Sequence, residues 1–589
     1  MRKTNSLWLV IPALIMAAGP AMAAEDQLLN LLPSQPLAVL RVTGLGDEWQ
    51  IIQNSDFAKR FQEAATPDVA NGLQNIRNGL AQLQVNAGIN AEEVLKDVFG
   101  NDCLVAVYGK GDGVFLSTSP TPLRLKDAAE KIINLERAWG KIQAENAQTY
   151  KFIEVHQSTF GVQRPDAQPW NRYHCFLDNT LVVSSNEETI KKVIDIFANK
   201  ERVSQPSELT EAFAAMDKDA VVRGYIDTDL LCQKVDLETA LDGKLRHPLV
   251  RIIMRELKTV LPLIRYVTVT ATPKDGSLEF RQTVISDEKT WPDSMKALLP
   301  KDDKAFDVLQ LAPESAVLCV GHRVDKAALW RRVLEIVSKG APERAQRIQT
   351  SAQWVAGMIG GMTFDQLLGK LDDQVGVFIT SADAPDAVPA ISIAVAVKKD
   401  GQDIATAFRT LAGTAAGFAQ MEAGKNGKPS VAVLAQENYK DVAFTILKLT
   451  EEKFGGHINI TLFVLGNMMV VSTNTDAARM IVDRHAAGKK DLAKTLGLPT
   501  FTGTPDCTGR IDLRRVNEMI FRHKMFLIDD AVRKGKPQEQ AQKDIENIAF
   551  LLGLAEDVTF YSTHTPNRID RVWQLRFPKE DEAAAPVAE

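Results

Sequence analysis

Eight histidines and five cysteines are the side chains of this 589-residue chain best suited to nucleophilic, redox or metal chemistry. The histidines are His156, His174, His247, His322, His457, His485, His523 and His564. None stands in H-E-x-x-H or another ligand spacing. The cysteines, Cys103, Cys175, Cys232, Cys319 and Cys507, include no C-x-x-C pair of the kind that zinc and dithiol redox sites use. Their contexts are apolar, as in Ala316-Val-Leu-Cys319-Val, so they read as small buried hydrophobes. No G-x-S-x-G elbow, no S-x-x-K with companion boxes and no calcium loop is present. The glycines of Gly109-Lys-Gly-Asp-Gly113 lack the Lys-Ser/Thr ending of a phosphate loop and predict a hairpin turn. Asp227 and Asp512 each follow a strand-like run, where a carboxylate caps a turn or helix. The expectation is no catalytic residue, no metal and no cofactor. A hydrolase whose triad is assembled from distant residues stands as one alternative.

One segment has a binding character. Lys244 to Lys258 predicts a helix with Pro248 in its first turn. Arg251, Arg255 and Lys258 share one face, and Ile252, Ile253 and Leu257 lie largely on the other. That is the form of a helix resting on an anionic lipid surface or a partner, and equally of a solvated surface helix.

These side chains have to be placed by a framework, and the chain writes its framework twice. The stretch Phe176-Leu-Asp-Asn-Thr-Leu-Val-Val-Ser-Ser-Asn returns 288 residues later as Val464-Leu-Gly-Asn-Met-Met-Val-Val-Ser-Thr-Asn. It predicts strand, tight turn at Asp178-Asn179, strand, then a helix capped by Asn186 or Asn474. The buried faces of those helices are Ile190, Val193, Ile194 and Phe197 in one copy and Ala478, Ile481 and Val482 in the other. Gly88 to Leu95 matches Gly361 to Leu368, and Thr363 with Gln366 has capping-box spacing. Ala220 to Asp227 matches Cys507 to Asp512, and Tyr266-Val-Thr matches Asp557-Val-Thr. What recurs is apolar and turn chemistry. A tryptophan recurs too, Trp49 and Trp330, and reads as packing.

The predicted fold class is α+β: a tandem duplication of a two-lobed unit with antiparallel sheets and helices packed on one face. The boundaries expected are a signal peptide over 1–23, copy 1 over 24–200 and 201–290 for its main and second lobes, a connector over 291–308, copy 2 over 309–490 and 491–579, and a disordered tail over 580–589. Arg2 and Lys3, the apolar run from Leu7 to Ala18 and Ala21-Met-Ala23 form the three parts of a secretory signal, with the mature chain starting at Ala24. No later apolar run is long enough to span a bilayer. The formal charge of −6 lacks the basic footprint of a nucleic-acid binder.

The Leu-Pro opening at Leu32-Pro33, the Gly-Ile-Asn-x-x-Glu-x-Leu box at Gly88 and the strand-turn-strand-helix at Phe176 resemble the bacterial envelope proteins of domain-of-unknown-function family 3352. The resemblance implies export and an α+β fold, and it brings no catalytic residues. The functional expectation is an exported, non-enzymatic envelope protein, periplasmic or extracellular, with a scaffold or partner-binding role and an unknown protein or lipid partner. A carrier of an apolar ligand between helices and sheet is the other alternative.

Overall fold

The structure, a computed structural model, describes residues 28–33, 35–44, 84–85, 90, 96–99, 101–109, 111–161, 169–199, 207–234, 256, 259–274, 276–300, 306–360, 362–381, 389–399, 403–425, 432–449, 458–488, 504–565 and 567–578. Several sequence features lie outside the described residues: the signal over 1–23, Trp49, most of the box at Gly88 and the tail over 580–589. The chain divides into two compact units, one drawn from Met1–Ala240, Ile264–Ser286 and Phe577–Glu589, the other from Leu241–Leu263 and Asp287–Arg576.

Among its described residues the first unit holds ten strands: β1 Ala38–Thr43, β2 Asp102–Gly109, β3 Asp112–Thr118, β4 Ile142–Tyr150, β5 Ile153–Phe160, β6 Trp170–Leu177, β7 Thr180–Ser184, β8 Val222–Asp227, β9 Ile264–Lys274 and β10 Ser277–Ser286. Their pairings are all antiparallel and give the order β10-β9-β8-β1-β2-β3-β7-β6-β5-β4. Its helices are α1 Pro122–Ala138, α2 Glu187–Asn199, α3 Ser207–Ala215 and α4 Thr228–Lys234.

The described residues of the second unit also hold ten: β11 Ala316–Arg323, β12 Leu371–Thr380, β13 Ala390–Val397, β14 Ala432–Tyr439, β15 Val442–Leu449, β16 Asn459–Leu465, β17 Met468–Ser472, β18 Thr504–Asp512, β19 Asp557–Thr565 and β20 Arg568–Arg576. Their order, again antiparallel, is β20-β19-β18-β11-β12-β13-β17-β16-β15-β14. Adding ten to each strand number of the first sheet reproduces the second. Its helices are α5 Lys326–Gly340, α6 Pro342–Gly360, α7 Phe364–Gly369, α8 Asp403–Lys425, α9 Thr475–Ala486, α10 Leu513–Arg522, α11 Lys524–Arg533 and α12 Gln538–Gly553.

Two sequence expectations are corrected. Helices lie on both faces of each sheet. Cys175, Leu177 and Val182 pack under Ile190, Val193 and Ile194 of α2, whereas Phe176, Leu181 and Val183 on the opposite face pack with Leu125, Ala128 and Ala129 of α1. The unbroken run Leu181-Val-Val183 is what a strand covered on both sides requires. The segment read as a second lobe is also not separate: β8 runs along β1, with Leu40 opposite Gly224, so β8 to β10 extend the same sheet.

Local signals act as their chemistry dictates. Asn474 accepts from the amides of Asp476 and Ala477, and Asn186 accepts from Glu188 N–H at 2.9 Å. Thr363 and Gln366 form a complete capping box. Asp227 accepts from Leu230 N–H at 2.8 Å and Asp512 from Arg515 N–H at 3.0 Å, so both carboxylates cap helices. In the tight turns the left-handed residue is the first of the pair, Asp178 with φ 51° and Gly466 with φ 58°. Trp330 packs on Phe364 of α7 with ring centroids 4.7 Å apart.

Candidate functional site

The cysteines are all free; Cys103, Cys175 and Cys319 are buried, and burial pushes the first two thiols up to about 12 and the third to about 11. A thiol so hard to ionise is a poor nucleophile at neutral pH. Among the described residues, no group of three or more His, Cys, Asp and Glu is gathered to hold a metal, and no helix is long and apolar enough to cross a membrane. Arg251, Arg255 and Lys258 lie outside the described residues. Their neighbour Glu256 is described and pairs with the buried Arg332 of α5.

One polar group recurs at matched places. In the first unit the β4–β5 turn carries Lys151 and Phe152 at φ 47° and 67°, and Asp195 of α2 binds both Tyr150 Oη at 3.0 Å and Lys151 Nζ at 2.7 Å. In the second, Lys440 and Asp441 turn at φ 47° and 64°, and Asp483 of α9 binds Tyr439 Oη at 3.0 Å and Lys440 Nζ at 2.7 Å. Each aspartate pins a hairpin tip to a helix. The ammonium of Lys151 holds the Asp195 carboxyl below its ordinary range, with Tyr150 assisting against partial desolvation, and the same holds for Asp483 with Lys440. A depressed carboxyl stabilises the fold fully above its unfolded pKa, and that contribution disappears as pH falls through the depressed value. The expected result for Lys151→Met is an Asp195 pKa moved up towards the ordinary Asp value, read by NMR titration of the carboxyl carbon. An unchanged value would remove the lock.

A second group recurs in kind but two residues apart in register: a buried arginine on the first strand of each sheet, Arg41 standing at the position of Gly321 and Arg323 at that of Thr43. Arg41 donates to Asp102 at 2.9 and 2.8 Å, and Arg323 donates to Asp373 at 3.0 and 2.7 Å. Both guanidiniums are almost fully enclosed and bonded to a carboxylate, so they stitch adjacent strands.

A third polar assembly occurs, among the described residues, in the first unit. A cavity of about 710 Å³ lies between α1 and strands β4 to β6. Helix α1 starts at Pro122 and buries Leu125, Ala128, Ala129 and Leu135 at helical spacing. Its polar stripe, Lys126, Glu130, Asn134 and Arg137, lines the cavity. Two ion pairs brace the walls: Glu136 to Arg172 of β6, at 3.0 and 2.6 Å, and Arg137 to Glu145 of β4, at 2.8 and 2.9 Å. The floor is a cross-strand pair, His156 directly opposite His174, with rings stacked 4.9 Å apart at 15°. Phe176 meets His174 edge-on, and the fully exposed Phe152 stands at the rim.

His174 is 7% exposed, and its Nδ1 is sealed with no hydrogen-bond partner among the described residues. Burial, then the neighbouring His156 and Arg172, lowers its pKa to about 4. The ring is therefore neutral at physiological pH, and Nε2 is the nitrogen left to exchange hydrogen bonds.

The second unit closes the same place. There the pair in the matching register is Thr445 opposite Leu462. Leu462 packs in an apolar cluster with Ile404 and Ala407 of α8. The two histidines carry no ligand spacing in sequence, so that signal could not find them. The readable signal is the mismatch itself, since a 288-residue shift carries His174 onto Leu462 just before the strongest repeated block.

No family model and no curated protein matches the chain. Among solved structures, crystal forms IV and I of TP0453 are similar at 9% identity. Form IV has a TM-score of 0.22 and covers 44% of this chain and 79% of its own; form I has a TM-score of 0.23 and covers 46% and 80%. At these scores the likeness carries no argument.

Proposed function

We propose that this chain is an exported, non-enzymatic protein of the bacterial envelope, a tandem duplicate of one ten-stranded α+β unit with a scaffold or partner-binding role. The observation that carries the reading is the use made of the recurring charged groups. Arg41–Asp102 and Arg323–Asp373, and the Tyr–Lys–Asp locks at Asp195 and Asp483, all spend their charges on tying one framework element to another. Their atoms are occupied by each other, which favours architecture over reaction chemistry. The matched strand order supports duplication, because two unrelated ten-stranded sheets have no reason to share one order. The polar lining of the first-unit cavity favours binding of a polar partner over carriage of an apolar ligand.

Export and partner binding are tested together in the native cell. The expected result is a mature chain beginning at Ala24 in the fraction released from the envelope, and a reproducible protein neighbour after cross-linking of intact cells. An intact Met1 on a chain retained in the cytosol would overturn export. A cross-linking pattern that changes from one preparation to the next would overturn the partner.

A further inference from the structure

We propose that the cavity between α1 and β4 to β6 is a saccharide-binding site, present in the first unit and filled in the second. This goes beyond the framework reading and stands or falls apart from it.

The volume comes first. About 710 Å³ lies within the ~300–1,000 Å³ range of small-molecule sites and accommodates a ligand of two sugar rings. The lining then selects chemistry. Asn134 offers an amide group that both donates and accepts, and Glu130 offers an acceptor. A planar amide matches the paired donor and acceptor character of neighbouring hydroxyls. Charge is close to balanced, with Lys126 near Glu130 at 3.9 Å and Arg137 bound to Glu145, so neither a bare anion nor a bare cation is the natural occupant.

Two features point to a ligand more directly. His174 is more than nine-tenths buried, neutral, and without a protein partner on either nitrogen among the described residues. A buried polar ring left unbonded is destabilising unless something else bonds it. With Nδ1 sealed, Nε2 is open to a hydroxyl in the cavity. Phe152 is the second feature. Its side chain is wholly exposed at the rim, on a residue with φ 67°, where a bulky side chain is unfavourable. The equivalent turn position in the second unit is Asp441, a residue that suits such backbone. An aromatic face placed there at a backbone cost fits the apolar face of a sugar ring and does nothing for the fold.

The second unit provides the control within the same chain. Where the cavity residues are His156, His174 and Phe152, the closed unit has Thr445, Leu462 and Asp441. The test uses the full mature chain and two probes, cellobiose and N,N′-diacetylchitobiose, which differ in the acetamido group. Saturation-transfer NMR is expected to show transfer from protein to the ring protons of at least one probe. Transfer to the acetylated probe alone assigns Asn134 to acetamido recognition; transfer to both assigns it to the hydroxyls. Phe152→Asp, a swap at an exposed turn, is expected to weaken binding by about tenfold while leaving the unfolding transition in place. His174→Leu is expected to abolish it, and because that residue is buried its folding is checked by the same transition. Absence of transfer to either probe, or transfer undiminished in Phe152→Asp and in folded His174→Leu, would overturn the site.

Discussion

Replacing Asp557 with Asn is expected to destabilise the second unit by about 3 kcal/mol, among the largest single effects in the molecule. Asp557 is 1% exposed at the start of β19. Its carboxylate accepts from Arg510 Nε at 3.1 Å and Arg576 Nε at 2.7 Å, with a second bond from each guanidinium. The amide keeps the shape but takes away the anion the two guanidiniums share, leaving Arg510 only a 3.5 Å contact with Asp512. Asp557 itself is buried, and removing the anion of such a group costs more than the group as a whole contributes, although Arg510 and Arg576, 24% and 37% exposed, recover part of their hydration. The first unit contains the alternative solution. In the matching register, Tyr225, Tyr266 and Ile285 stand where the second unit has Arg510, Asp557 and Arg576. The two tyrosine rings there lie 5.4 Å apart. The triple replacement Arg510→Tyr, Asp557→Tyr, Arg576→Ile is therefore expected to recover most of the stability lost in Asp557→Asn. Denaturant unfolding of the two variants checks both statements. A single replacement as stable as the parent, or a triple one less stable than the single, would show that the ionic group does not act as a unit.

That substitution of one packing solution for another explains what could be read from the letters and what could not. Elements whose geometry is set by near neighbours were legible. The Asn186 and Asn474 caps, the Thr363–Gln366 box, and the burial of Ile190, Val193, Ile194, Ile481 and Val482 follow from spacing within one or two turns. Helix placement on both faces was written in Leu181-Val-Val183, but a three-residue run is ambiguous between a strand covered twice and a strand covered once. The join of β8 to β1 was not legible, because it links residues some 180 positions apart with no local signature. The cavity was hidden for a related reason. His156 and His174 face each other only through the β5–β6 register, and each alone looks like an ordinary histidine in a strand.

The shared strand order also bears on a glycine kept at one place in both units, where the same substitution is expected to have opposite outcomes. Gly224 of β8 lies between Leu40 and Val269, and Gly509 of β18 between Val320 and Phe560, at equivalent positions of the two sheets. A β-carbon on Gly224 would find Leu40 Cδ1 and the Val269 carbonyl oxygen at 3.7 Å, ordinary contact. A β-carbon on Gly509 would lie 2.6 Å from the Cys319 carbonyl oxygen and 2.6 Å from the Phe560 ring. The ring can swing aside, but the carbonyl belongs to β11 and is held by the strand ladder. Gly224→Ala is therefore expected to be neutral or slightly stabilising, since alanine loses less backbone entropy on folding. Gly509→Ala is expected to cost about 1–3 kcal/mol, the usual range for forcing an added carbon into packed structure. Thermal unfolding of the two single variants decides it. Equal shifts would mean that the approach of Cys319 to Gly509 relaxes freely. Unequal shifts in the stated direction would mean that the two units share strand order and diverge in how tightly their strands are pressed together. The same divergence leaves a cavity open beside His174 and closes it beside Leu462.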